Sequence, residues 1–125
     1  MNPDIAVFFS SHPSALPIFE ELERRLRDLL PQMQLRVKAT QISFFQRRMF
    51  GCVSFLPVRR RRALPDDYLT ITFGLDHRVF SPRIEAATEP YPNRWTHHLV
   101  LSRPQEVDEE LIGWLLEAAH FAAIK

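Results

Sequence analysis

The sequence predicts an α+β fold: a two-layer sandwich in which a largely antiparallel sheet of about five strands packs against an N-terminal and a C-terminal helix. Three observations predict it. Apolar positions in residues 15–30 follow helical spacing, those in residues 35–101 alternate with a period of two, and those in residues 107–121 return to helical spacing. The links between neighbouring strands are short, which favours antiparallel pairing.

The first element expected is a brief helix over Asn2–Phe9, with Asn2 as its cap and Pro3 at its first position. Ser11, His12 and Pro13 restart the chain. From Ala15 to Leu30, the residues Leu16, Phe19, Leu22, Leu26, Leu29 and Leu30 mark a long amphipathic helix. Glu20–Arg24, Glu21–Arg25 and Glu23–Arg27 stand four apart in the favourable acid-first order. Pro17 must fall in the first turn, and Pro31 ends the helix.

The period then changes. Leu35, Val37 and Ala39 alternate with Arg36, Lys38 and Thr40 as a strand. Ile42–Phe45 reads as a short second strand or a turn of helix. Met49–Leu56 is an apolar run expected to lie centrally. Pro57 and Arg59–Arg62 close it, and Pro65-Asp66-Asp67 is turn chemistry. In Tyr68–Leu75, the residues Leu69, Ile71, Phe73 and Leu75 face one way, and Tyr68, Thr70, Thr72 and Gly74 the other. These two strands are expected to form a hairpin with a long basic loop. Residues 76–94 hold four turn-prone segments around a short strand at Ile84–Thr88. Trp95–Leu101 is the last strand, with Trp95, His97, Leu99 and Leu101 on one face. Arg103-Pro104 breaks it. Val107, Leu111, Trp114, Leu115, Ala118 and Phe121 mark the terminal helix, whose acidic first turns suit the helix dipole.

The 125 residues (14.7 kDa) are read as a single α+β domain over 1–125. With 46% hydrophobic and 25% charged residues, the composition is that of a globular protein rather than a disordered one. No apolar run reaches the roughly 18 residues of a membrane span, so no membrane role is expected. The start shows no signal-peptide pattern. The one cysteine, Cys52, cannot close an internal disulfide and points to a reducing, cytoplasmic setting.

The net charge of +1 hides an uneven distribution. Residues 32–103 carry twelve basic residues against five acids, while both ends are acidic. Fourteen of the sixteen basic residues are arginine, whose planar fork suits carboxylates and phosphates.

The densest candidate site is the segment 78–98. Its arginines (Arg78, Arg83, Arg94) fork an anion, its rings (Tyr91, Trp95) stack a planar group, and its prolines stiffen the loop. His97 joins this set, and Lys38 adds a compact charge on the outer sheet face. Glu85 and Glu89 are near acids that could pair with the same arginines. The leading expectation is therefore a non-catalytic binding domain with a basic, aromatic cleft for a small anion, a nucleotide or an acidic peptide. One alternative is an enzyme using His97 and Glu89 as an acid–base pair, with Arg83 or Arg94 as oxyanion clamp. Another is nucleic-acid contact through Arg47, Arg48, Arg59, Arg60, Arg61 and Arg62. His97 and His98 are neighbours on one strand and point to opposite faces, so they cannot readily hold one metal. No metal or cofactor motif appears, and neither is expected. An exposed aromatic-rich sheet face or edge makes a homodimer plausible.

Three stretches carry a family resemblance: Thr40-Gln41-Ile42-Ser43-Phe44, Tyr68–Leu75, and Pro92-Asn93-Arg94-Trp95-Thr96-His97-His98. With the acidic terminal helix ending Ala118-Ala119-His120-Phe121, they resemble a small uncharacterised bacterial domain-of-unknown-function family. The resemblance covers the chain from about His12 onward. It implies an α+β, cytoplasmic domain without an established activity, distantly similar to iron-chaperone-like small domains. It supplies no catalytic residue.

Overall fold

The computed structural model describes residues 2–58, 64–65 and 67–124. Its elements are α1 (Pro3–Phe8), α2 (Leu16–Leu29), β1 (Gln34–Val37), β2 (Gln41–Phe45), β3 (Met49–Ser54), β4 (Leu69–Leu75), β5 (Ala86–Tyr91), β6 (Arg94–Leu101) and α3 (Glu109–Ala123). Short 3₁₀ turns at Pro13–Ala15 and Pro104–Glu106 precede α2 and α3. The strands form one antiparallel sheet in the order β1-β2-β3-β4-β6-β5. The fold class is the one expected, with six strands instead of about five. The segment left open between strand and helix, Ile42–Phe45, is strand β2.

The sheet has a clear inside and outside. Ile42 and Phe44, Val53, Ile71 and Phe73, and Leu99 and Leu101 lie in register and are fully buried. α2 and α3 cover this face. Phe19 of α2 stacks on Phe44 at 6.4 Å between ring centres, and Trp114 of α3 stacks on Phe73 at 5.9 Å. α3 comes especially close over Gly51, where a Cβ would meet the Thr72 carbonyl at 2.9 Å and a Leu115 methyl at 3.6 Å.

Caps set the helix boundaries. The Asn2 side chain accepts from the Asp4 amide at 2.8 Å, and Pro3 takes the first position of α1. Asp108 accepts from the Leu111 amide at 3.0 Å at the start of α3. Along α2, only the Glu23–Arg27 pair forms as the spacing predicts, at 2.9 Å. Arg24 turns instead to Glu21 and Asp28. Arg25 leaves the helix surface and donates to the Val107 carbonyl, tying α2 to the segment before α3. No helix among the described residues is long and apolar enough to cross a membrane.

Candidate functional site

The face of the sheet opposite α2 and α3 is built of small polar side chains. Ser43, Cys52, Thr72 and His98 stand directly opposite one another on β2, β3, β4 and β6. Gln41, Ser54 and Thr70 form a second row beside them. Ser43, Cys52, Ser54 and Thr70 are all buried. Antiparallel neighbours stand about 5 Å apart, so the side chains of a row reach each other.

Two overhangs turn this face into a cavity of about 530 Å³. On one side is the turn Ala39-Thr40-Gln41. On the other are Phe55 and Leu56, where the chain leaves β3. Thr70 Oγ1 donates to the Leu56 carbonyl at 2.7 Å, and the Tyr68 hydroxyl donates to the Phe55 carbonyl at 2.7 Å. The Phe55 ring stacks on His12 at 3.9 Å and on Phe8 at 5.0 Å, so α1 and the following turn hold this wall in place. The floor is Cys52, Ser54, Thr72 and His98.

The floor is joined across strands. Thr72 Oγ1 lies 2.8 Å from His98 Nδ1, and Cys52 is the cross-strand neighbour of Thr72 on its other side. Burial pushes the Cys52 thiol up, against the smaller opposing pull of the Thr72 hydroxyl, and burial pushes His98 down. Both groups are therefore neutral near pH 7, and the described lining of this cavity carries no Lys or Arg. A smaller cavity of about 80 Å³, toward the Met49 end of β3, touches the same Cys52 and Thr72 and is bordered by Arg94.

The structure does not gather the cationic residues of the segment 78–98 into one cleft. Arg83 is spent on the start of α3. Its guanidinium bonds both Asp108 oxygens at 2.8 and 2.9 Å, Glu110 at 3.1 Å and the Glu106 carbonyl at 2.7 Å. Burial opposes that charge, but the Asp108 and Glu110 carboxylates outweigh it and hold Arg83 above its usual range. Arg94 lies flat against Gly74, 5.8 Å from the Phe121 ring. Arg78 is exposed and sits over Phe80 at 4.8 Å and over Trp95 at 5.7 Å. Tyr91 ends β5, half-exposed, beside the turn Pro92-Asn93. Lys38 lies at the opposite edge of the sheet, lining a cavity of about 430 Å³ with Asp4 and Ser11. Strand order alone separates it from Arg78, Arg94 and Trp95, which belong near β6.

His97 lies on the covered face, fully buried, with its ring stacked on Phe73 at 4.9 Å. Nε2 accepts from the Val79 amide at 2.9 Å, and Nδ1 is buried without a hydrogen bond of normal geometry. Burial holds it below the ordinary histidine value. Glu89 lies on exposed β5, where its carboxylate accepts from the Asn93 amide at 3.2 Å. Among the described contacts nothing joins the two residues, so the acid–base pair of the alternative enzyme reading is not assembled. His97 instead packs the core and holds the backbone at Val79.

Arg47 and Arg48 occupy the exposed turn before β3. Arg59, Arg60, Arg61 and Arg62 lie outside the described residues. Asp76, His77 and Glu117 bring ligand atoms within 4.8 Å of one another, but all three are exposed. The His77 ring already meets Asp76 at 2.8 Å and Glu117 at 3.5 Å. Residues 5–122 match the family described as Domain of unknown function (DUF5655). No curated protein and no solved structure matches the chain.

Proposed function

This chain belongs to the DUF5655 family, and we propose that it is a small-ligand-binding domain whose site is the cavity over Cys52, Thr72 and His98. One observation carries the reading: Cys52, Thr72 and His98, aligned across three strands with Thr72 bonded to His98, floor an open cavity of about 530 Å³. Ligand pockets of folded domains run to about 300–1,000 Å³ and combine apolar walls with a few fixed polar groups. Ala39, Phe55 and Leu56 supply the walls, and Gln41, Thr72 and His98 supply the polar groups. The ligand this favours is compact and uncharged, with an apolar body and one polar edge. An ionised ligand would lose its hydration with no cation in the described lining to offset it.

Titration with small uncharged cyclic ketones, lactams and phenols, followed by amide chemical shifts, tests the proposal. Signals of residues 52, 54, 72 and 98 are expected to move together and saturate. A ligand at a hundred times its Kd adds about 2.7 kcal/mol to folding stability. Ala39→Trp on the exposed rim is expected to abolish both effects while leaving the fold intact. Shifts that survive this substitution, or that scatter over the molecule, overturn the assignment.

A second reading keeps the anion at Arg78. An exposed guanidinium beside Phe80, which is 81% exposed, offers a planar anion both charge and a stacking face. Arg78→Ala is then expected to remove binding of an aromatic carboxylate and to leave the cavity's ligands unaffected.

A further inference from the structure

We propose that Cys52 is a nucleophile that captures an uncharged α,β-unsaturated carbonyl compound, with Thr72 relaying the thiol proton to His98. The proposal rests on the cavity reading and names the chemical class of its ligand.

The three groups form a chain in the order that nucleophilic addition needs. Thr72 stands opposite Cys52 on one side and opposite His98 on the other. Its hydroxyl lies 2.8 Å from Nδ1, and antiparallel neighbours in one row stand about 5 Å apart, which brings the thiol within reach of the same hydroxyl. With the thiol donating to Thr72 Oγ1 and Thr72 donating to Nδ1, a shift of two protons leaves a thiolate and an imidazolium joined by the same hydroxyl. The chain remains neutral overall, so the shift is compatible with a buried floor. Burial disfavours a standing thiolate, so the proton leaves as the new bond forms.

The sulfur bonds to the β-carbon, and the π pair of the C=C bond moves onto the α-carbon and carbonyl oxygen. The thiol proton passes to Thr72 as the Thr72 proton passes to His98. The imidazolium proton then returns by way of Thr72 and quenches the α-carbon. Hydrogen and sulfur are added across the double bond, nothing leaves, and no oxidant is consumed. Acyl or phosphoryl transfer would instead put the full charge on oxygen and call for fixed cations or several donors, whereas the enolate shares its charge between oxygen and the α-carbon. The described lining of the cavity holds no cation, and Ala39, Phe55 and Leu56 give its walls an apolar surface. That balance favours a soft, neutral carbon electrophile.

The single cysteine makes the test unambiguous. The intact chain is treated with 2-cyclohexen-1-one, and adducts are followed by mass. Cyclohexanone, which lacks the double bond, serves as the non-reacting ligand. One adduct per chain is expected, at a rate that saturates with concentration and is slowed by cyclohexanone. Across about pH 6–8 the rate should stay nearly level, whereas that of an unassisted thiol rises roughly tenfold per unit. Thr72→Val should slow the reaction by about tenfold or more at neutral pH and restore the steep slope, and Thr72→Ser should retain the native rate and profile. Should Thr72→Val and the native chain label alike, the relay is overturned. If cyclohexanone moves the cavity's amide signals but cyclohexenone leaves no adduct, capture fails and the cavity reading stands. If neither compound moves those signals, both fail.

Discussion

His97 and His98 are neighbours in sequence and occupy different environments. One is sealed against Phe73, and the other faces the cavity through Thr72. Strand alternation alone requires that split. Which face is covered by helices is a property of the assembled layers. Arg83 shows the same limit. Its partners, Asp108 and Glu110, stand 25 and 27 positions downstream, while the acids nearest in sequence are Glu85 and Glu89. Arg83→Ala is expected to cost about 1 kcal/mol, because the pairs are partly solvated and only the Glu106 carbonyl contact is sheltered. The urea midpoint measures this. Binding of an aromatic carboxylate should not change, which separates a structural arginine from an anion clamp. Cys52 carried no local signature, since a lone cysteine in an apolar strand looks like any small core residue. Its register opposite Thr72, which in turn stands opposite His98, gives it a candidate role.

The elements were legible where a single physical cause acts locally. Alternation in β4 and β6, and the acidic start of α3, survive as read. The turn Pro92-Asn93 closes the β5–β6 hairpin with Asn93 at φ 65°, a conformation that asparagine tolerates and β-branched residues resist. Asn93→Val is expected to cost about 1–2 kcal/mol, and Asn93→Gly about nothing; thermal midpoints distinguish them. At the start of α3 two devices share one carboxylate, because Asp108 both caps the helix and holds Arg83. Asp108→Ala should cost about 1 kcal/mol as a cap alone. In combination with Arg83→Ala the loss should fall short of the sum, since the two side chains share a bond. A fully additive double variant would show that they act separately. The charge ladder of α2 was less legible: Glu21 pairs with Arg24, and Arg25 reaches Val107.

At the scale of the whole molecule, the charged and titratable groups tie stability to pH in one direction. Burial holds His97 and His98 below the ordinary histidine value, so the unfolded chain binds protons there more readily. Their contribution is complete above about pH 6.5 and is lost as pH falls below it. Glu106 and Asp108 are also held low. Burial opposes their ionisation, but amide donors outweigh it: Ser102 and Arg103 on Glu106, Leu111 on Asp108, where Arg83 adds its charge. Their contribution is present above the ordinary carboxylate range and is lost as pH falls through their own lower values. Urea midpoints are therefore expected to fall in two stages on acidification, first around the histidine range and then in the carboxylate range. A midpoint that holds level from about pH 7 to 5 would contradict the histidine half of this account.

The sequence by itself determined the fold class, the order of the elements and the inward face of β4, because propensity, caps and hydrophobic period act between residues a few positions apart. Only the tertiary structure decided the site. Its floor brings together positions 52, 72 and 98 through strand register, and its walls come from the turn at 39–41 and the exit of β3. Arginines scattered along a chain keep their charge wherever the fold places them, but a cavity exists only where separate elements converge, and no local pattern encodes that convergence.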